Sequence, residues 1–364
     1  MSGPPPGAAA AASSTHRPRW RAQLFDAAGQ MVTAALPIRY GVVVKDAQGT
    51  RINCDIPTQP VPQPLDQSYL PTGGSIAVDW RFEGVTDWQR LARCDIVSSA
   101  IARPEGNWVI ACADRGRRIA LDNLGRSGSV GAPATVAAAI SELIWRTFPG
   151  APVEATGLAA SMPFPATPAD QIAGDPWALA RSWAEAAGAE LFEDCSRRVF
   201  VIRDAPTLGT PVDTLATGEG GCLTRYTIQH ELAYNRAQVQ YTKAGAVVRT
   251  GTYSDTRPDS PVTQARVGTR IIMYRQQQVE TAPSQADADR AALQLLRSGN
   301  ALMRRANLVH AQRPWLAPGD TITATYLGGP TENLVIDQVE VPLTTGEEQI
   351  TMARTHDYPL GGTP

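Results

Sequence analysis

From Trp20 onward, hydrophobic positions recur every second residue in short bursts. RINCDI sets Ile52, Cys54 and Ile56 against Asn53 and Asp55, and SIAVDWRF does the same with Ile76, Val78 and Trp80. A period of two marks a strand with one buried face. RWRAQLFDAAGQMVTAALPIRYGVVV reads as a strand, a turn at residues 26–29 and two more extended pieces. LARCDIVSSAIARPEGNWVIACADRGRRI reads as two strands joined by a Pro-Glu-Gly turn. About six short strands with Gly/Pro turns between them predict a sandwich or small barrel.

The period changes near residue 125. NLGRSGSVGAP is a Gly/Ser linker, and ATVAAAISELIWRTFPG then places Val136, Ile140, Leu143 and Ile144 on one helical face, ended by Pro149 and Gly150. A second helix starts at Asp175-Pro176, an N-cap followed by proline at the first helical position. Its apolar stripe is Trp177, Leu179, Ala180, Trp183, Ala184 and Ala187. AELFEDCSRRVFVIRDAP follows as a hairpin turning at residues 193–197. From Leu223 strands return in LTRYTIQHE, NRAQVQYTK, AVVRTGTYSD and RIIMYRQQQVE. A helix capped by Ser284 points Ala291, Ala292, Leu295 and Leu296 inward, and further strands run to residue 357.

These patterns predict a mainly β chain with an α+β middle region: two barrel- or sandwich-like β domains flanking a small α/β domain. The expected division is a flexible N-terminal arm at 1–17, a β domain at 18–125, a mixed α/β domain at 126–222, a barrel-like β domain with one helix at 223–357 and a tail at 358–364.

The 364 residues carry a net charge of −2, with 31 arginines but only two lysines, Lys45 and Lys243. That balance argues against nucleic acid or an anionic membrane as the main partner, since both favour a basic field. The arginine excess and abundant alanine are the mark of a GC-rich genome. Five widely spaced cysteines, Cys54, Cys94, Cys112, Cys195 and Cys222, contain no CxxC pair. A disulfide framework or zinc site is not expected, and the thiols read as small buried hydrophobes in a reducing cytosol. The N-terminus lacks the charged start and apolar core of a signal peptide, and no stretch is long and apolar enough to cross a bilayer. The expectation is a soluble protein without a membrane anchor.

Catalytic signatures are absent from the sequence. His16, His230, His310 and His356 fall in no metal-type spacing, and there is no nucleophile elbow or Walker loop. ATGEGGCLTRY is rich in glycine, but no helix pattern follows to cradle a phosphate. No catalytic residue, cofactor or metal is expected. One stretch is instead unusually rigid: RPWLAPGD at 313–320, between two strand patterns. Pro318 fixes φ, Gly319 supplies φ > 0 and Asp320 accepts backbone N–H bonds, which is type II turn chemistry.

The order of motifs in the second half resembles the tail hub proteins of long-tailed bacteriophages. YNRAQVQY, with Asn235 ahead of Val239 and Tyr241, is followed by a segment reaching Ser260-Pro261. An Ala/Leu helix at 285–299 and the corner Pro314, Trp315, Leu316, Pro318, Gly319 and Asp320 come next. RAQLFDAAGQMV, GTRINCDI and YLPTGGSIAVDWRF in the first half are similar to minor tail proteins of phages of actinobacteria. The resemblance spans roughly residues 18–355 and makes Asn235, Ser260, Pro261 and the corner residues Pro314, Trp315, Leu316, Pro318, Gly319 and Asp320 structural or interface candidates.

It implies a non-enzymatic virion protein, assembled in the host cytoplasm and placed at the distal end of the tail. Such hubs are homotrimers whose paired barrels form a pseudo-sixfold ring. The ring joins the six-fold tube and distal tail protein to a three-fold tip, meets the tape measure protein and other tip or fibre proteins, and passes DNA through its lumen during genome ejection. A distal tail protein or a receptor-binding adhesin of the tip is the alternative. The chain ends soon after its second β-rich region, so host-binding or wall-degrading modules are expected on other chains.

Overall fold

The computed structural model describes residues 4–12, 17–57, 73–102, 107–122, 133–164, 175–230, 234–257, 260, 263–278, 283–301 and 304–355. A short helix, α1 (Ala8–Ala12), precedes β1 (Pro18–Phe25), β2 (Met31–Leu36), β3 (Tyr40–Asp46), β4 (Gly49–Pro57), β5 (Ser75–Phe82), β6 (Gln89–Ala102) and β7 (Asn107–Ala113). The middle comprises α2 (Gly116–Leu121), α3 (Val136–Thr147), β8 (Val153–Ala155), α4 (Leu158–Ser161), α5 (Pro176–Ala186), β9 (Ala189–Asp194) and β10 (Val199–Asp204). The remainder is β11 (Asp213–Ala216), β12 (Leu223–His230), β13 (Arg236–Lys243), β14 (Ala246–Ser254), α6 (Gln264–Val267), β15 (Ile272–Gln278), α7 (Gln285–Ala301), β16 (Arg304–His310), β17 (Thr321–Thr325), β18 (Thr331–Pro342) and β19 (Gln349–Arg354).

The chain is mainly β, as its period-two patterns require. One 13-stranded sheet runs β12-β16-β19-β18-β3-β4-β7-β6-β5-β1-β2, with β17 joined to β18 and β11 to β17. Most of its ladders are antiparallel, and β11–β17 is parallel. The two β regions share this sheet through one ladder. β18 pairs with β3, setting Val341 opposite Val43 and Val339 opposite Lys45. One core runs beneath both, from Leu24, Ile52 and Phe82 to Leu316, Ile322 and Val341. Among the described residues the ladder does not close into a barrel, because β12 and β2 end the path unpaired with each other.

The middle unit forms where the sequence changes period. Parallel β8 and antiparallel β9 flank β10, and α3 and α5 cover them. Ile140, Leu143 and Ile144 of α3 meet Trp177 and Ala180 of α5 over Phe200 and Ile202. The expected cap is present: the Asp175 carboxylate accepts the N–H groups of Trp177 and Ala178 at 2.9 and 3.0 Å. It answers the orphan donors of the first turn and favours the positive end of the helix. Trp80, Trp108 and Trp177 are buried, whereas Trp145 is 47% exposed.

A third unit lies between β12 and β16. β13 sits between β14 and β15, and α7 covers one face with Ala292, Leu295 and Leu296 over Val239 and Tyr241. Ser284 caps α7 by accepting the Asp287 N–H at 3.1 Å. Gly251 lets α7 approach closely, since a Cβ there would strike the Ala288 carbonyl.

Within residues 1–17, expected as an arm, the described residues hold α1. Ala8, Ala11 and Ala12 are buried against the main core, because side chains this small let a helix seat directly on the strands. Pro261, His16, His356 and the tail at 358–364 lie outside the described residues.

Candidate functional site

The corner at 313–320 forms the turn its residues prescribe. Gly319 has φ +86°, and the Asp320 N–H donates to the Ala317 carbonyl at 3.1 Å, closing a type II turn. The Asp320 carboxylate accepts the Ala317 N–H at 3.0 Å. Burial nevertheless pushes that carboxyl above its ordinary range.

Every side of this turn is tied to another part of the chain. Gly319 N–H donates to Ile336 at 2.8 Å and Ile336 N–H to Asp320 at 2.9 Å, which fastens the corner to β18. The Arg203 guanidinium, from β10, donates to the Pro318 carbonyl at 3.0 Å. Gln349 of β19 grips Arg313 twice, accepting its N–H at 2.7 Å and donating to its carbonyl at 3.2 Å. Trp315 lies 5.9 Å from Trp80 and 6.4 Å from Phe82, both on β5, and its indole N–H reaches the Asp213 carboxylate at 3.0 Å.

Arg313, Pro314, Trp315, Leu316, Gly319 and Asp320 are all buried within the single chain. Within the chain the corner is packed against its own strands. It is an internal joint where β5, β10, β11, β18 and β19 meet.

Asn235 and Ser260 sit together in the third unit, also buried. The Asn235 side chain donates to the Thr269 carbonyl and accepts the Ile271 N–H, each at 2.9 Å, so it clamps the start of β15 to β13. Ser260 donates to Asp255 at 2.6 Å, and Asp255 also receives Arg257 Nε at 3.0 Å and Nη2 at 2.9 Å. These are bonds that hold a loop.

A second joint was invisible in the sequence. Arg115 donates through its backbone N–H and its Nε to the two oxygens of Glu193, both at 2.6 Å, and through Nη2 to the Arg198 carbonyl at 2.5 Å. Arg198 and Arg118 in turn hold Asp95 at 2.9 and 3.1 Å. Asp114 accepts the Thr50 N–H at 3.0 Å, and burial together with the nearby Glu193 raises its carboxyl to about 7. This network stitches the strands of the main sheet to the β9–β10 hairpin. Its members are scattered along the chain, so no local spacing announces them.

His310 is buried, with Nδ1 2.7 Å from the Ala311 carbonyl and Nε2 2.8 Å from the Thr351 hydroxyl. Burial lowers its pKa to about 4, so it is neutral at physiological pH. The five cysteines are free and buried, as expected of small hydrophobes. Among the described residues no group of His, Cys, Asp or Glu is placed to hold a metal ion, and no helix is long and apolar enough to cross a membrane. What the arrangement does is mechanical: it fixes elements against one another.

No family model and no curated protein matches the chain. Solved structures do. A tail protein from Neisseria meningitidis MC58 superposes with a TM-score of 0.64 at 12% identity, over 93% of this chain and 97% of that one. The 43 kDa tail protein of prophage MuSo2 from Shewanella oneidensis gives 0.64 at 12% identity, over 92% and 98%. An E. coli type VI secretion component, described as similar to the T4 tail proteins gp27 and gp5, gives 0.52 at 10% identity, over 90% and 77%. At these identities the likeness is one of fold, and it is a likeness over the whole chain.

Proposed function

We propose that this chain is a structural protein of a phage-type tail: a homotrimeric hub at the distal end of the tube. In this reading it belongs to a long-tailed phage of actinobacteria. It joins the six-fold tube and distal tail protein to a three-fold tip and surrounds the channel for the tape measure protein and DNA. The observation that carries the reading is coverage: the likeness to tail proteins takes in more than nine tenths of both chains, so the whole architecture is shared and not one module. The two internal joints suit such a part, since a ring closes only when each subunit presents its surfaces at a fixed rotation. No bond is made or broken in this role, and it uses no cofactor.

The test is the native mass of the untagged protein by light scattering across a concentration series, followed by symmetry averaging of negatively stained particles. A three-chain mass with three-fold averages is expected. A monomer at all concentrations that also fails to bind tail-tube and distal-tail proteins would refute the hub. Six-fold averages, or saturable binding to envelope glycans, would favour a distal tail protein or adhesin. A zymogram on host peptidoglycan is expected to stay blank.

A further inference from the structure

The outward face of the strands β1, β5 and β6 concentrates positive charge on a chain whose net charge is −2. At its centre the buried Asp79 carboxylate receives Arg21 Nη2 at 2.6 Å and also Arg90 Nε. Arg81 is the cross-strand partner of Arg19 and follows Asp79 at the next outward position of β5. It forms no hydrogen bond or ion pair with any described residue, and its Nε is buried without a partner. Its guanidinium instead lies over Trp88, 4.6 Å from the ring centroid, and Arg21 lies at the same distance from that ring. Beside them Arg93 stacks on Phe25 at 3.9 Å and donates to the Ser75 hydroxyl at 3.0 Å. Two guanidiniums thus hold the Asp79 carboxylate, and Arg81 and Arg93 lie over aromatic rings beside it. Burial and the neighbouring Arg198 and Arg90 lower the pKa of Arg93, as an excess of positive charge should.

We propose that this face docks a carboxylate-rich segment of a partner protein, with Arg81 on Trp88 as its anchor. A guanidinium lying on an indole is held by its face, and with Nε buried its two Nη groups are the edge that can meet a carboxylate bidentately. Arg81 is the member with no carboxylate partner among the described residues, so it is where an incoming Asp or Glu gains most. A nucleic-acid strand fits worse. It needs an uninterrupted basic track for successive phosphates, whereas Asp79 lies inside this patch and the exposed Arg19–Glu83 pair flanks it.

The inference is read without any tail component and stands apart from the hub reading. The full chain is titrated, at low ionic strength, into a fluorescein-labelled peptide of alternating Glu and Gly, its Gln-for-Glu counterpart and a labelled oligothymidylate, with anisotropy as readout. Saturable binding of the Glu peptide alone is expected. Losing one charge-assisted pair in Arg81→Gln should weaken it about tenfold, with Arg81→Lys between that variant and wild type. Arg19→Ala, outside the anchor, should stay within about twofold. Equal thermal melts of the variants keep the comparison one of binding. Absence of saturable peptide binding, binding indifferent to Arg81→Gln, or tighter oligothymidylate binding lost in Arg81→Gln would each overturn the proposal.

Discussion

Replacing Trp315 by alanine tests whether the corner is the joint described above. Truncating a buried tryptophan costs about 3–5 kcal/mol. Trp315 belongs at the upper end, because its ring meets two others, Trp80 at 5.9 Å and Phe82 at 6.4 Å, and such pairs add about 0.5–1.5 kcal/mol beyond burial. Its N–H to Asp213 is also lost, leaving that carboxylate with the Thr214 N–H at 2.7 Å and Arg313 at 3.6 Å. The total expected is about 5 kcal/mol. Trp315→Phe keeps an aromatic ring against β5 and gives up only the N–H and part of the volume, so about 2 kcal/mol is expected. Equilibrium urea unfolding followed by far-ultraviolet circular dichroism measures both. The double variant with Trp80→Ala should lose less than the sum of the single losses by about 1 kcal/mol, since the two rings share one contact. A loss below about 1 kcal/mol for Trp315→Ala, or strict additivity with Trp80→Ala, would refute the joint.

Other outcomes follow from the same geometry. Gly319→Ala should cost about 2–3 kcal/mol, from the positive φ and from collision with Arg203 and Pro206. Gly346→Ala, at φ +91° in open space, should cost only about 1 kcal/mol in the same unfolding assay. His310 protonates near 6.5 when unfolded and about 4 when folded. Between those values the unfolded state binds the extra proton, so His310 makes stability fall by about 3 kcal/mol as pH drops from 6.5 to 4. His310→Gln should remove that slope. Asp114 acts with the opposite sign: its folded carboxyl is near 7 against 3.8 unfolded, so stability falls as pH rises through that window. Asp114→Asn should gain on wild type by about 4 kcal/mol between pH 4 and 7, read from paired unfolding curves. Asp255→Asn should weaken the grip on Arg257 and Ser260 by about 2 kcal/mol. Faster hydrogen exchange in β13 to β15 with β16 to β19 unchanged is the expected signature.

Elements with local signals were legible. The alternation of Ile52, Cys54 and Ile56 made β4, the cap at Asp175-Pro176 started α5, and Pro318-Gly319 made the type II turn. The corner was recognised by its chemistry, but its surroundings were not, because Trp80, Arg203, Asp213 and Gln349 come from four distant segments. The same limit hid the Arg115–Glu193 joint. α1 was missed because an alanine run flanked by Pro and Gly carries no amphipathic stripe, and β11 because four residues in a polar linker show no period. The pairing of β3 with β18 was hidden for a related reason: a central strand such as β3 looks the same whether its neighbour lies next to it in the chain or at the far end.

That long-range pairing of β3 with β18 bears on how the protein is made. β3 is synthesised early and β18 among the last strands, so during translation the valine-rich β3 is an open edge awaiting a partner. Lys45, one of two lysines in the chain, sits on that strand and is a charge of the kind that discourages stray strand addition. A ribosome paused before residue 331 would hold a nascent chain that can pair β3 only on its β4 side. Translation speed through the last third of the message thus becomes part of the folding pathway.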